Sequence, residues 1–264
     1  MDIETKISSC NLYHFTEQFE TLKLIIENGI KPSYCLEQFY FYDGATTQIA
    51  IPMSCFCDIP FGLSEQHRSI YGKYGISLSK EWGQNNKICP IIYLPEGELK
   101  NIIFNIMKTS SKVERQVHSK IDGNNQDVNN TTYILLLDIL SSIKDFWFLL
   151  MFTKPYSGLF EKKKYSNKDH KFYDEREWRY KPEIGPFSPY NISKYYLTLD
   201  EYSNDDFRLE CNAKLPFLHF NITDIANIVV RFPHEKEEIN KLIIKKFEID
   251  FTDRILISDF TINE

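Results

Sequence analysis

Ile49-Ala50-Ile51-Pro52-Met53-Ser54-Cys55-Phe56-Cys57 is a β-rich run, and Asp58-Ile59-Pro60 turns the chain at its end. Pro52 has no N–H to give to a ladder, which predicts an edge, an end or a bulge there. Before this run, residues 11–15 read as a second strand. The helix after that strand has Thr16 as its cap, an apolar stripe of Phe19, Leu22, Ile25 and Ile26, and Gly29 as its stop. A polar, aromatic linker joins the helix to the central run. After the run, a short helix over residues 63–71 leads to the turn signals Tyr71-Gly72 and Tyr74-Gly75, then to strands over 75–80 and 88–94. Residues 96–108 predict a helix, 122–130 a loop and 132–152 the longest helix. In that last helix Ile134, Leu137, Leu140, Ile143 or Trp147, and Leu150 are expected to form the core stripe, while Asp138, Ser142 and Asp145 gather on the solvent side. Strands are expected again over 175–181, 195–199, 216–220 and 227–232, followed by a helix over 234–247 and a strand over 254–258. Strands at both ends around a helical middle predict an α+β fold rather than regular βαβ alternation.

The 264 residues are 42% hydrophobic and 26% charged, the composition of an ordinary globular protein, with Phe and Tyr unusually frequent. A formal charge of −6 argues against a whole-surface nucleic-acid binder. The local basic stretch at 161–171, with Lys162, Lys163, Lys164, Lys168 and Lys171, reads as a solvated loop. The six cysteines are expected to be free thiols; Cys55 and Cys57 lack the second pair that a structural zinc site needs. Residues 1–10 show no secretory signal, and the longest apolar block, 146–152, is too short to span a bilayer. The expectation is a soluble cytoplasmic protein with no membrane contact and no bound metal.

Phosphate-loop, Gly-x-Ser-x-Gly and His-Glu-x-x-His motifs are absent, which removes the simplest ATPase, hydrolase and metalloprotease readings. His67, His118, His170, His219 and His234 show no ligand spacing and read as surface or hydrogen-bonded residues. His14-Phe15-Thr16 differs, because a histidine ending a strand before a helix can place its imidazole at a pocket mouth. Tyr71-Gly72-Lys73-Tyr74-Gly75 offers rings at glycine-punctuated turns. Late in the chain, Phe172-Tyr173-Asp174-Glu175-Arg176-Glu177-Trp178-Arg179 carries two close glutamates. As a strand it would put Glu175, Glu177 and Arg179 on one face. By itself the run reads as a surface strand whose charges pair with one another and with water. Beside a cleft, its paired carboxylates suit general-base or oxocarbenium-stabilising chemistry.

The order of histidine, tyrosine and glutamate on successive strand-rich blocks resembles the layout of ADP-ribosyltransferases. At family level the sequence looks like the AbiGi abortive-infection proteins, over roughly residues 11–235. The likeness runs through His14-Phe15-Thr16, Asn28-Gly29-Ile30 with Pro32-Ser33, and residues 51–60. Tyr71-Gly72-Lys73-Tyr74-Gly75-Ile76, Ser79-Lys80-Glu81-Trp82 and Glu175-Arg176-Glu177-Trp178-Arg179 continue it.

The resemblance implies one ADP-ribosyltransferase-like domain over residues 1–264, with a split β-sheet core, flanking helices and a helical insertion at about 96–155. It implies NAD as substrate. Glu177 would be the catalytic carboxylate, Glu175 would orient the nucleophile or the ribose hydroxyls, and His14 would contact the ribose. Phe15, Thr16, Ser54 and Phe56 would join His14 in holding NAD, Tyr71 or Tyr74 would stack on nicotinamide, and Arg179 would hold the carboxylates or a phosphate. As the nicotinamide–ribose bond breaks, positive charge develops on the ribose, and a fixed carboxylate stabilises it only then.

Two functions remain open at this point. One is a phage-defence effector, similar to DarT-like toxins, that transfers ADP-ribose to a nucleic-acid or protein acceptor or hydrolyses NAD. The alternative, which the AbiGi resemblance implies, is a non-catalytic antitoxin that binds a partner toxin of a defence operon, with Glu175 and Glu177 at the interface. A nuclease would need a metal-binding carboxylate cluster, and the sequence offers none.

Overall fold

A computed structural model describes residues 8–40, 46–122, 130–162, 165–183 and 196–258. The chain opens with β1 (Asn11–Thr16), α1 (Phe19–Asn28), β2 (Ser33–Tyr40) and β3 (Thr46–Cys57). Next come α2 (Glu65–Tyr71), β4 (Tyr74–Ser79), α3 (Lys80–Asn85), β5 (Cys89–Pro90) and β6 (Ile92–Leu94). The long helices α4 (Glu98–Asp122) and α5 (Asn130–Leu150) precede β7 (Thr153–Pro155), β8 (Gly158–Lys162), β9 (Tyr165–His170) and β10 (Glu177–Tyr180). The chain continues through β11 (Leu197–Thr198), α6 (Leu199–Ser203), α7 (Asp205–Ala213), β12 (Ile225–Val230), α8 (Pro233–Phe247) and β13 (Ile255–Ile257).

Among the described residues, the main sheet holds nine strands in the order β13-β12-β4-β1-β3-β10-β5, with β2 and β11 also paired to β3. Period-two alternation sends successive residues of β1 to opposite faces. Leu12 joins the core that α1 and α8 cover, with Leu22, Ile26, Ile76, Ile228, Ile239 and Ile243. Tyr13 packs on the other face with Cys57, Ile59 and Val229. The first half of β3 buries Ile49, Ile51 and Met53 against Phe104 of α4 and against Leu150 and Met151 at the end of α5. The long helices are thus fastened to β3, and the chain returns from them into β7.

Mixed helix and sheet content matches the α+β reading, but several local expectations change. Thr16 ends β1 and does not cap α1; Gln18 is the N-cap and makes no side-chain cap bond. The expected linker is β2, which pairs with β3 from Ser33↔Met53 to Tyr40↔Thr46. Pro52 therefore lies inside a central strand opposite Tyr34, where β3 exchanges β11 for β10 as a partner. The expected strand over 88–94 splits, because β5 pairs with β10 while β6 pairs with β7. The basic stretch at 161–171 is mostly hairpin, β8 against β9, rather than a loop. Of the expected strand over 216–220, only a single bridge, Leu218 to Ile30, is present. Of the predicted loop at 122–130, Asp122 ends α4 and Asn130 begins α5; residues 123–129, the pair Lys163 and Lys164, and the start of the strand expected at 195–199 lie outside the described residues.

Gly72 joins α2 to β4 with φ +131°, and a Cβ there would sit 2.0 Å from the carbonyl oxygen of Thr16. Only glycine allows the α2 end to lie so close to β1. Gly72→Ala is expected to cost more than about 2 kcal/mol, read as a lower urea midpoint. An unchanged midpoint would show that this junction is not tightly packed.

Candidate functional site

β1 pairs with β4 over its whole length, from Asn11↔Ser79 to Thr16↔Tyr74, yet meets β3 at the one pair Tyr13↔Cys57. Past that pair the two strands part, and His14 occupies the fork. Its Nδ1 lies 2.8 Å from the carbonyl oxygen of Cys55. A carbonyl only accepts, so Nδ1 donates and Nε2 keeps its lone pair. Burial outweighs this hydrogen bond and pushes the imidazole pKa below its ordinary value, which keeps the ring neutral.

A cavity of about 490 Å³ opens here, and His14, Phe15, Ser54, Phe56, Tyr71, Glu175 and Glu177 all line it. Ser54 is buried, and its hydroxyl has no hydrogen-bond partner among the described residues. That oxygen is sealed within the cavity wall, so a ligand meets it only where the wall shifts.

The run at 172–179 is not a continuous strand. Residues Phe172–Glu175 form a 3-10 turn, Arg176 adopts a left-handed conformation (φ 47°, ψ 48°), and β10 begins at Glu177. Alternation therefore does not bring the glutamates together; Lys154 does. Its Nζ donates to Oε2 of Glu175 at 2.8 Å and to Oε2 of Glu177 at 3.0 Å. Arg179 donates through Nε to Glu177 Oε1 at 2.5 Å, and also to the Met151 carbonyl at 2.7 Å and to Glu37 at 3.0 Å. Tyr71 and His170 donate to Glu175 Oε1 at 2.6 and 2.9 Å. The surface-strand reading fails, since Glu175, Glu177 and Arg179 are only 5%, 6% and 1% exposed. Such charges persist inside a protein only when paired and hydrogen-bonded.

Burial alone would raise the Glu175 carboxyl, but Lys154 and then the His170 hydrogen bond outweigh it and hold the pKa at about 2. For Glu177 burial likewise opposes ionisation, and Arg179 and Lys154 overcome it, keeping the carboxyl well below its ordinary range. Burial pushes His67, whose ring centre is 4.4 Å from that of Tyr71, down to about 4.

These shifts set an acid profile. His67 and Glu175 both bind protons less readily in the folded chain than in the unfolded one, so stability is complete above pH 6.5, the ordinary histidine value. Stability declines as the pH falls from 6.5 towards about 4, where His67 protonates in the folded chain. It declines further between 4.5 and about 2, as Glu175 protonates. Urea midpoints at pH 7, 5 and 3 should fall in that order; equal midpoints at pH 5 and 3 would contradict the paired state of Glu175.

Three residues expected at the site lie outside the cavity lining. Tyr74 points into the core, where its hydroxyl donates to Glu235 at 2.8 Å. Thr16 ends β1, and Arg179 lies behind Glu177 rather than beside the opening. Lys154, Tyr93 and Glu37 gave no sequence signal. Lys154 is a lone lysine just after a helix, and Tyr93, whose hydroxyl accepts from the Glu177 N–H at 2.8 Å, belongs to a short apolar run. His170 does carry the hydrogen bond expected of such a histidine, though the sequence did not name Glu175 as its partner.

A family model described as "Putative abortive phage resistance protein AbiGi, antitoxin" matches residues 28–231, most of the chain. The chain belongs to the AbiGi family. A relative from Lactococcus lactis subsp. cremoris, named abortive phage resistance protein AbiGi, is 28% identical over 251 residues, covering 88% of this chain and 86% of its own. The AbiGi match takes in Ser54, Tyr71, Lys154, Glu175, Glu177 and Arg179, and His14 precedes it. No solved structure matches the chain. Among the described residues, no helix is long and apolar enough to cross a membrane, and no three His, Cys, Asp or Glu side chains are grouped to hold a metal ion.

Proposed function

We propose that this AbiGi-family protein is an abortive-infection enzyme that uses NAD as its substrate, through an ADP-ribosyltransferase-like split sheet. It breaks the bond between nicotinamide and ribose and passes ADP-ribose to a macromolecule or to water. The observation that carries this reading is the convergence of His14, Ser54, Tyr71, Glu175 and Glu177 from four chain segments on one cavity at the fork of β1 and β3. A volume of about 490 Å³ suits much of a dinucleotide.

Neutral His14 offers Nε2 to the ribose hydroxyls. Glu177 stays ionised, as a group facing a nascent oxocarbenium must. A carboxylate has about four acceptor positions, and Lys154 and Arg179 use two of those on Glu177. Lys162, which also lines the cavity, brings positive charge for the diphosphate. Incubation with NAD labelled in nicotinamide tests the reading. Release of the label, with KM raised about tenfold in His14→Ala for the loss of one or two ribose hydrogen bonds, is expected. No release above the blank would overturn it.

The family description favours a second reading, a non-catalytic antitoxin that neutralises a partner toxin. The paired Glu175, Lys154, Glu177 and Arg179 would then be scaffold alone. Expression in cells separates the two: an antitoxin rescues growth when produced with its toxin, and Glu177→Gln rescues equally well, whereas an effector arrests growth by itself.

A further inference from the structure

A second cavity, of about 750 Å³, lies against the first, and His67, Tyr71 and Glu175 line both. We propose that this second cavity admits the acceptor of ADP-ribose, and that the acceptor is a hydroxyl-bearing side chain of a protein. The proposal rests on the NAD reading above.

A transferase needs two approaches to one reacting centre, and the shared wall of Tyr71 and Glu175 is where the contents of the two cavities come closest. At the second opening, Lys171 and Arg176 are offset by Asp169 and Asp174, on a chain with a formal charge of −6. Nucleic acid is held by net positive charge against its phosphates, which this opening lacks. Its rim instead carries Tyr173 and Leu63, 52% and 67% exposed. The Tyr173 ring is held in place by stacking on Tyr156 at 5.2 Å and by an edge contact with Tyr93 at 5.4 Å. An ordered, exposed tyrosine beside an aliphatic side chain suits a protein surface.

The charge state of Glu175 selects among side chains. Lys154 and His170 hold Glu175 as a carboxylate in the shared wall, so it accepts a hydrogen bond from a hydroxyl and repels an acidic side chain, while no carboxylate removes a proton from an ammonium or a guanidinium. A hydroxyl, by contrast, gives up its proton only after its oxygen has bonded, when that proton is strongly acidic. In the transfer, the nicotinamide–ribose bond breaks and its electron pair leaves with neutral nicotinamide. The hydroxyl oxygen then bonds to the ribose carbon, and its proton passes to Oε2 of Glu175 and on to water. Among the described residues Oε2 has Lys154 as its donor, which leaves room for a second.

The test supplies NAD labelled in its adenylate half, with either a degenerate peptide pool containing serine, threonine and tyrosine or degenerate single-stranded DNA and RNA. Nicotinamide release is followed in the same tubes. Gln66→Trp fills the second cavity from its exposed rim without lining the first; Ile70→Trp does the same from another position should Gln66→Trp misfold. Label on peptide is expected, reduced at least tenfold by either variant, with nicotinamide release to water unchanged within twofold. Label on nucleic acid, or peptide labelling indifferent to both variants, would overturn the proposal. Nicotinamide release with no labelled acceptor of either kind would overturn it alone, whereas no release at all would remove the NAD reading with it.

Discussion

Arg179→Leu is expected to destabilise the protein by about 3–5 kcal/mol, the cost of removing one partner from a buried charge cluster. Arg179 is the most enclosed charged residue at the site, and its guanidinium ties together three separate parts of the chain. It donates to Glu177 on its own strand, to Glu37 on β2, and to the Met151 carbonyl at the end of α5. Leucine fills part of the volume but leaves the Met151 carbonyl unpaired and Glu177 with Lys154 alone. Urea denaturation at pH 7 reads the loss. In a double-mutant cycle, Arg179→Leu with Glu177→Leu should cost clearly less than the two single changes added together. Additive costs would mean that the pair is not coupled.

Glu177→Gln is expected to lower the rate of nicotinamide release by about 10²–10³, the range for losing one fixed electrostatic contact to a developing charge. The amide keeps the shape of the side chain and loses the negative charge. KM for NAD should change by less than about threefold, because the oxocarbenium charge exists only in the transition state. The amide must also turn its NH2 towards Lys154 or Arg179, at a stability cost of about 1–3 kcal/mol. Single-turnover assays well below the melting temperature separate the two effects. Near-normal release by a folded Glu177→Gln protein would remove Glu177 from catalysis.

Much of the fold can be read locally. The apolar stripe of α1, the alternation of β4 and the run of β3 are patterns of neighbouring residues, and burying those patterns drives each element into place. The readings that failed depended on partners distant in sequence. Residues 33–40 look polar and aromatic, yet they form β2 because β3 lies alongside with a complete ladder to offer. Pro52 stands inside a central strand because the partners of β3 change around it. The alternation rule misread Glu175 and Arg176, because a 3-10 turn ends at the first and the left-handed conformation of the second precedes the strand.

The same division runs through the site. From the sequence alone came an α+β chain with a histidine ending its first strand, a tyrosine before a glycine turn and two late glutamates, because residue types and short-range periodicity are local properties. Tertiary structure alone decided that Tyr71 and not Tyr74 lines the cavity, since Gly72 ends α2 between them and β4 carries the second ring into the core. It also decided that Lys154 stands between the two glutamates, 21 and 23 residues away from them along the chain. Buried charges need counter-charges, and the fold, not the spacing, chooses which residue supplies them.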